Sequence, residues 1–261
     1  MKRITLCADD FALSPVGSRR IIELINRQRL SATSVMSQSP HWPLLADELR
    51  EVQTQADIGL HFNLTHPFTE RSAPLLHWLV RSQARLLDKA WLTQYVLEQI
   101  DRFTEHFQRL PDFIDGHQHV HAFPVIREAL FEAIAQRWSG AEKPYLRAPD
   151  ALSSPGDSHL KALVLKASCA GFNTQATALG YAAPHWFAGL YSLTPQAGFA
   201  ELMQQWFAHA PTQSLIMCHP GSNASDDAIG PAREVEYAYL ASDAFYALRE
   251  QQHVMISRFQ P

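Results

Sequence analysis

The sequence predicts an α/β fold, a single-domain distorted or incomplete (β/α) barrel with parallel strands. Short apolar runs suited to buried strands alternate with stretches of helical periodicity, an order that implies βαβ crossovers and a parallel sheet. Several of those runs end in clusters of Asp, His or Arg, as expected where the carboxyl ends of parallel strands share one cleft. No Gly/Pro/Ser-rich linker, repeat or low-complexity tract interrupts residues 1–261, so one domain is the simplest organisation, and the length is ample for a core.

The elements follow in order. RITLCADD (3–10) reads as a buried strand ending in a polar pair, and residues 16–28 place Ile21, Ile22 and Ile25 at helical spacing. Residues 31–38 suggest a second strand and 43–55 a second helix. ADIGLHFNLT (56–65) reads as the third strand, before a long helical region from about Pro74 to Gln108. DFIDGHQHVHAFP (112–124) reads as a strand, since alternate residues on an extended chain share a face. That periodicity would align Asp115, His117, His119 and His121. A helix over 125–138 and strands over 143–150, 214–220 and 253–259 complete the pattern.

Composition excludes some functions. The formal net charge of −4 and pI near 6.3 argue against a generic nucleic-acid partner. No stretch is apolar for long enough to span a bilayer, and MKRITLCADD lacks a signal-peptide core. Three cysteines, Cys7, Cys169 and Cys218, do not make a disulfide framework, so a reducing, cytoplasmic setting is expected. Cys7 and Cys218 are expected to be buried small hydrophobes.

The chemistry gathers at five strand ends: Asp9-Asp10; His61 with Asn63; Asp115 with the three histidines; Arg147 to Asp150; and His219-Pro220-Gly221. A carboxylate suits a divalent cation, and a neighbouring one can accept a proton from activated water. Imidazoles crowded on one face are stabilised when they share a metal or are held by carboxylates. All three histidines of the run cannot hold one ion from a strand, because alternate residues lie ~6.5–7 Å apart. One carboxylate and two imidazoles with open positions make a hydrolytic metal site. Imidazole favours zinc and oxygen favours magnesium, so ligand type leaves the metal open. His219 is a candidate general acid for a departing amine or a structural strand-end histidine. Arg147 would orient an aspartate or bind substrate oxygen. Trp42 and Trp186 could stack on a sugar ring, although core packing suits both.

Taken together, Ala8-Asp9-Asp10-Phe11, Gly59 to Thr65, Asp115 to His121 and Cys218-His219-Pro220-Gly221 resemble the motifs of the YdjC-like carbohydrate deacetylase family. That family includes chitooligosaccharide deacetylases and a branch associated with hopanoid biosynthesis. The motifs extend from residue 8 to 221 and are specific as an ordered set. The resemblance implies a distorted (β/α) barrel with one divalent cation per chain, Mg2+ being usual, and removal of an N-acetyl group from an amino sugar. Carried across, Asp10, His61 and His117 would be the metal ligands, Asp9 the base and His219 the acid. Asn63, Asp115, His119, His121 and Arg147 would support the ligands or face substrate. Ala12 stands where the family usually has glycine, so the loop after Asp10 is expected to differ slightly. Gln118 stands where a relative has histidine and is expected to point away from the metal.

Two other readings carry distinct expectations. A metal-dependent phosphoesterase or amidohydrolase on a similar barrel would hold two ions with a bridging ligand. A non-catalytic carbohydrate-binding protein would bind sugar without releasing acetate. A small carbohydrate is the expected partner. The apolar residues Leu75, Leu76, Trp78 and Leu79 are compatible with a homodimer face, a lid or buried core.

Overall fold

In the computed structural model, which describes residues 1–138, 140, 142–154, 156–224 and 227–260, eight parallel strands form one curled sheet. The chain runs β1 (Lys2–Phe11), α1 (Pro15–Asn26), β2 (Ala32–Val35), α2 (Trp42–Arg50) and β3 (Asp57–Phe62). It continues through α3 (Leu75–Gln83), α4 (Lys89–Phe107), β4 (Phe113–Gly116), α5 (Ile126–Arg137) and β5 (Tyr145–Leu146). Then come α6 (His159–Ser168), α7 (Phe172–Ala178), β6 (Phe187–Ala188) and α8 (Phe199–His209). It ends with β7 (Ser214–Cys218), α9 (Gly230–Ala241), α10 (Asp243–Gln251) and β8 (Val254–Ile256). The strand order is β5-β4-β3-β2-β1-β7-β6, with β8 pairing the start of β1. Beyond β5, an isolated parallel bridge joins Leu152 to Phe187 of β6. The sheet therefore nearly closes on itself, a distorted (β/α) barrel, as the strand–helix alternation predicts.

Burial explains why the strands read as apolar runs. Every residue of β2, β3, β4 and β7 is buried, as parallel strands covered on both faces require. Helix α1 starts where Ser14 accepts a hydrogen bond from the Gly17 amide and Pro15 opens the first turn, a favourable N-terminus. Cys7, Cys169 and Cys218 are free and buried. Trp42 is fully buried, 5.5 Å from the Phe103 ring and stacked on it, so its indole serves the core and no sugar.

Several expectations need correction. The helical region from Pro74 to Gln108 is two helices, α3 and α4, broken where Arg85 takes a left-handed φ of 55°. The predicted strand 143–150 pairs only at Tyr145 and Leu146, and 253–259 only at Val254–Ile256.

The largest correction falls on the histidine run. Strand β4 stops at Gly116, and 117–122 form a 3-10 turn with Gln118 and His119 at φ 53° and 60°. The four polar side chains therefore do not share a strand face. Gly116 is needed at this bend, because a Cβ there would lie 2.9 Å from His121 Nδ1 and 3.1 Å from the Phe62 carbonyl oxygen. The stretch Leu75 to Leu79 serves two environments at once: Trp78 is buried, while Leu76 is exposed.

Candidate functional site

The centre of the sheet delivers both aspartates of β1 to one cleft. The pairing of β1 with β2 slips between Ala8 and Phe11, and Asp10 sits at φ 64°. That irregularity lets two adjacent side chains, which would alternate on a regular strand, reach the same end of the barrel. Ala12 follows at φ 72°, so alanine does adopt the conformation that favours glycine. The Ser18 hydroxyl accepts its amide at 2.9 Å, and the Ser39 hydroxyl donates to its carbonyl at 2.5 Å, which holds the loop in place.

Asp10 Oδ1 lies 3.2 Å from His61 Nε2 and 2.9 Å from His117 Nδ1. Its other oxygen, Oδ2, accepts from Arg233 Nη2 at 2.7 Å. One face of the carboxylate thus turns to two imidazoles and the other to a guanidinium. Donor atoms of Asp10, His61 and His117 all lie within 4.8 Å of one another. Strand register brings His61 beside Asp115, and His61 Nδ1 donates to Asp115 Oδ1 at 2.7 Å. That contact leaves Nε2 as the nitrogen that faces Asp10, the one a metal-ligating histidine uses once a cation displaces its proton.

Behind this trio sits a buried guanidinium. Arg147, fully buried, donates from Nη2 to Asp9 Oδ1 and from Nη1 to Asp9 Oδ2, both at 2.6 Å. Its Nη2 also lies 2.6 Å from Asp115 Oδ2. Cys7, Asp9 and Asp115 form a second cluster of donor atoms within 4.8 Å, but Arg147 already supplies its cation.

Charge balance tests whether the first cluster suits a divalent ion. Burial opposes ionisation of Asp9, yet Arg147 outweighs it and holds the carboxyl well below the usual range. Burial is likewise overcome at Asp10 by His117 and Arg233. Burial would discharge His61, but Asp115 and Asp10 raise it to about 10. Three buried carboxylates thus face two guanidinium groups and hold a third positive charge, the protonated His61, in the Asp10–His61–His117 corner, the charge a divalent cation would replace. The donor types, spacing and charge demand fit one divalent cation.

His219 ends β7 with its Nε2 3.9 Å from Asp9 Oδ2. Burial pushes its imidazole down to about 4, so it is neutral near pH 7. Its backbone N–H donates to Glu236 Oε2, and Glu236 Oε1 accepts from the Tyr191 hydroxyl at 2.5 Å. Burial raises Glu236 to about 7. A carboxyl raised in the folded state contributes stability below its unfolded pKa of ~4.3, and that contribution is lost as pH rises toward about 7. Relative to Glu236→Gln, the wild-type unfolding free energy should fall across that window by at most about 1.4 kcal/mol per pH unit. Urea denaturation of both proteins from pH 4.5 to 7.5 checks this slope; a constant difference would contradict it.

The other expected residues have definite places. His119 lines the cleft, edge-on to Phe187, and burial, then Arg147, push it well below its usual range. His121 lies away from the cleft, where its Nε2 donates to the Arg147 carbonyl at 2.9 Å. Asn63 does not line the cleft either. Its Oδ1 accepts from the Thr65 and His66 amides, an Asx turn that holds the loop. Gln118 lines the cleft, against the expectation that it points away, because the strand face assumed for it does not exist. Trp186 is half-buried against the core and outside the cleft lining. Arg233, Glu236 and His66 were missed by sequence reasoning. The two α9 residues stand in a charged helical pattern like any solvated face, whereas His66 follows the motif by one residue and had a findable signal.

Parallel strands delivering carboxylates and imidazoles to one end of a nearly closed barrel define an α/β-barrel protein with a candidate one-metal centre. The model of the YdjC-like protein family matches residues 3–251, and the chain belongs to that family. It is 28% identical over 232 residues to a chitooligosaccharide deacetylase of Yersinia enterocolitica, covering 84% of this chain and 81% of that one. A chitooligosaccharide deacetylase of Yersinia pestis is 32% identical over 134 residues, about half of each protein (48% and 53%). Among solved structures, an Enterococcus faecalis protein named for cellobiose-phosphate cleavage superposes with a TM-score of 0.68 at 21% identity, covering 98% and 97% of the two chains. A family 4 acetyl xylan esterase of Clostridium thermocellum, solved with a cobalt ion, gives 0.51 at 10% identity, covering 98% and 88%. These likenesses show the fold. No helix among the described residues is long and apolar enough to cross a membrane.

Proposed function

We propose that the protein is a hydrolase that removes an N-acetyl group from an acetylated amino sugar and depends on one divalent cation held by Asp10, His61 and His117. The observation that carries this reading is the meeting of one carboxylate and two imidazoles beside a separate aspartate and a strand-end histidine. The deacetylase names of the Yersinia relatives support the reaction class. When bound, the cation would supply Lewis-acid polarisation of the acetamide carbonyl and lower the pKa of water; the donor set accommodates magnesium or zinc.

The chain's own residues supply the rest. Asp9, kept ionised by Arg147, is the proton acceptor for the attacking water. Because Arg147 engages both its oxygens, Asp9 cannot swing away, so geometry and not high basicity makes it the base. His219 is neutral at rest; the proton it gives to the departing amine is therefore one taken up within the cycle. Asp115 fixes the His61 tautomer while Arg147 anchors Asp115.

The two-ion phosphoesterase reading is disfavoured by Arg147, which fills the second donor cluster. The test is acetate release from a panel of N-acetylated mono- and oligosaccharides, with and without chelator. His219→Ala should lower kcat by ~10²–10⁴-fold while leaving bound metal unchanged. Loss of metal in that variant would make His219 a ligand instead, and full activity would remove it from the chemistry.

A further inference from the structure

Beside the proposed cation corner, the chain commits several buried polar side chains to one short loop. Asn63 is 1% exposed, and each of its polar groups is engaged. Its amide donates to Gln99 Oε1 at 2.9 Å, and its carbonyl accepts from Gln99 Nε2 at 2.8 Å. Asn63 Nδ2 donates to Gln38 Oε1 and to the His66 carbonyl, both at 2.9 Å. Its Oδ1 accepts the His66 amide at 2.8 Å, and the Ser72 hydroxyl donates to the His66 carbonyl at 2.7 Å. Gln38 and Gln99 are 9% and 1% exposed, and Gln38 Nε2 donates in turn to the Tyr95 hydroxyl at 2.6 Å. An Asx turn needs only the contacts of Asn63 Oδ1. Burying two further carboxamides to brace it goes beyond what the turn requires. Fully satisfied buried networks of this kind rigidify what they hold, and such support is how a contact residue is preorganised.

What the network holds is His66. The hydrogen bonds that this residue makes to described residues are those of its backbone. Its half-buried imidazole lines the cleft. The ring stands 4.3 Å from that of Phe68 and edge-on to His117, with 6.1 Å between centroids. It lies outside the group of donor atoms formed by Asp10, His61 and His117, so it is beside the proposed cation and not on it. A rigid backbone with an uncommitted ring leaves hydrogen-bonding capacity for whatever occupies the cleft.

We propose that His66 is a specificity-determining residue whose imidazole hydrogen-bonds a free hydroxyl of the sugar ring that carries the acetamide. An acetamide at the Asp10–His61–His117 corner brings that ring alongside His117, where the His66 ring stands. A hydroxyl suits the position because it both donates and accepts, as a neutral imidazole does. This inference deepens the deacetylase reading and rests on it for the identity of the ligand.

The experiment uses the full chain loaded with a divalent cation. Acetate release is measured from methyl N-acetyl-β-glucosaminide and from the analogues that lack one ring hydroxyl each. The proteins are the wild type, His66→Phe and His66→Gln, with bound metal measured in all three. In the wild type, one deoxy analogue should lose about 2- to 12-fold in kcat/KM, the worth of one neutral hydrogen bond. The loss should fall mainly on KM, since the contact is made on binding. His66→Phe should abolish that discrimination with metal content unchanged. His66→Gln, which keeps a donor and an acceptor, should restore part of it.

Deoxy penalties that are the same in the wild type and His66→Phe would overturn the proposal while sparing the deacetylase reading. Loss of bound metal in His66→Phe also overturns it, by making His66 a ligand. Absence of acetate release from every glycoside would instead sink the deacetylase reading, and calorimetry with the same glycosides then decides the role of His66. A hydroxyl-dependent affinity that His66→Phe removes retains the contact; equal or undetectable binding of all the glycosides overturns it.

Discussion

Replacing Asp10 or His117 with alanine is expected to abolish bound divalent metal and acetate release together. Both side chains reach Asp10 Oδ1 or contribute it, so neither has a substitute within the cluster. Loss of the metal's contribution to charge stabilisation, several kcal/mol, corresponds to ~10³-fold or more in kcat/KM. The two variants should differ in stability. His117 is partly exposed, with its side chain at 20%, and its truncation should be mild. Asp10→Ala strips Arg233 of one of its two carboxylate partners and leaves a buried cation less compensated. Metal analysis of the purified variants, beside acetate release and thermal unfolding, checks all three expectations. Retained stoichiometric metal with full activity in either variant would contradict the assigned ligands.

Arg147→Met is expected to be the most destabilising single change at the site. Arg147 is fully buried and ion-paired with Asp9 and Asp115 at 2.6 Å. Removing one partner of a buried ion pair costs about 3–5 kcal/mol, because the remaining charge is left without compensation. The pH dependence follows from the same contacts. In the wild type the Asp9 carboxyl is depressed by Arg147 against the effect of burial. Its contribution is therefore present above the unfolded pKa of ~3.9 and lost as pH falls through the lower folded value. Without Arg147, burial raises the carboxyl instead, and stability is lost as pH rises through ~3.9. The gap between the two proteins should widen from pH 4 to 7 and narrow in acid. Urea unfolding at several pH values measures it; a loss below about 1 kcal/mol with no pH trend would contradict the account.

The parts of this arrangement that were legible in the sequence share a cause. Strands β1 and β3 are buried apolar runs, long enough to recognise, that carry Asp9-Asp10 and His61 among their last residues, and β7 is another that stops just before His219. Where strands shrink to two residues, as at β5 and β6, the periodicity signal disappears, and the sequence between Ala151 and Gln213 did not resolve into elements. The histidine run was misread because period two fits a strand and says nothing of a left-handed bend. Neither Gln118 nor His119 is glycine, the residue that announces positive φ most plainly, although Gly116 marks where the strand ends. Arg233 and Glu236 were invisible for another reason. Residues three apart on α9 turn inward onto Asp10 and onto Tyr191 with the His219 backbone, yet Arg and Glu in a helix are expected on its solvated face. Only long-range packing distinguishes the two. The same packing explains Asn63 and His121, whose hydrogen bonds support loops and backbone behind the cleft.

The most direct test of the central claim is a metal titration read by acetate release. The protein is stripped with chelator and a divalent cation is returned stepwise with an N-acetylated amino sugar present. The stripped protein should release no acetate, and activity should recover to saturation at one equivalent per chain. Full activity without metal, or saturation only at two equivalents, would contradict it.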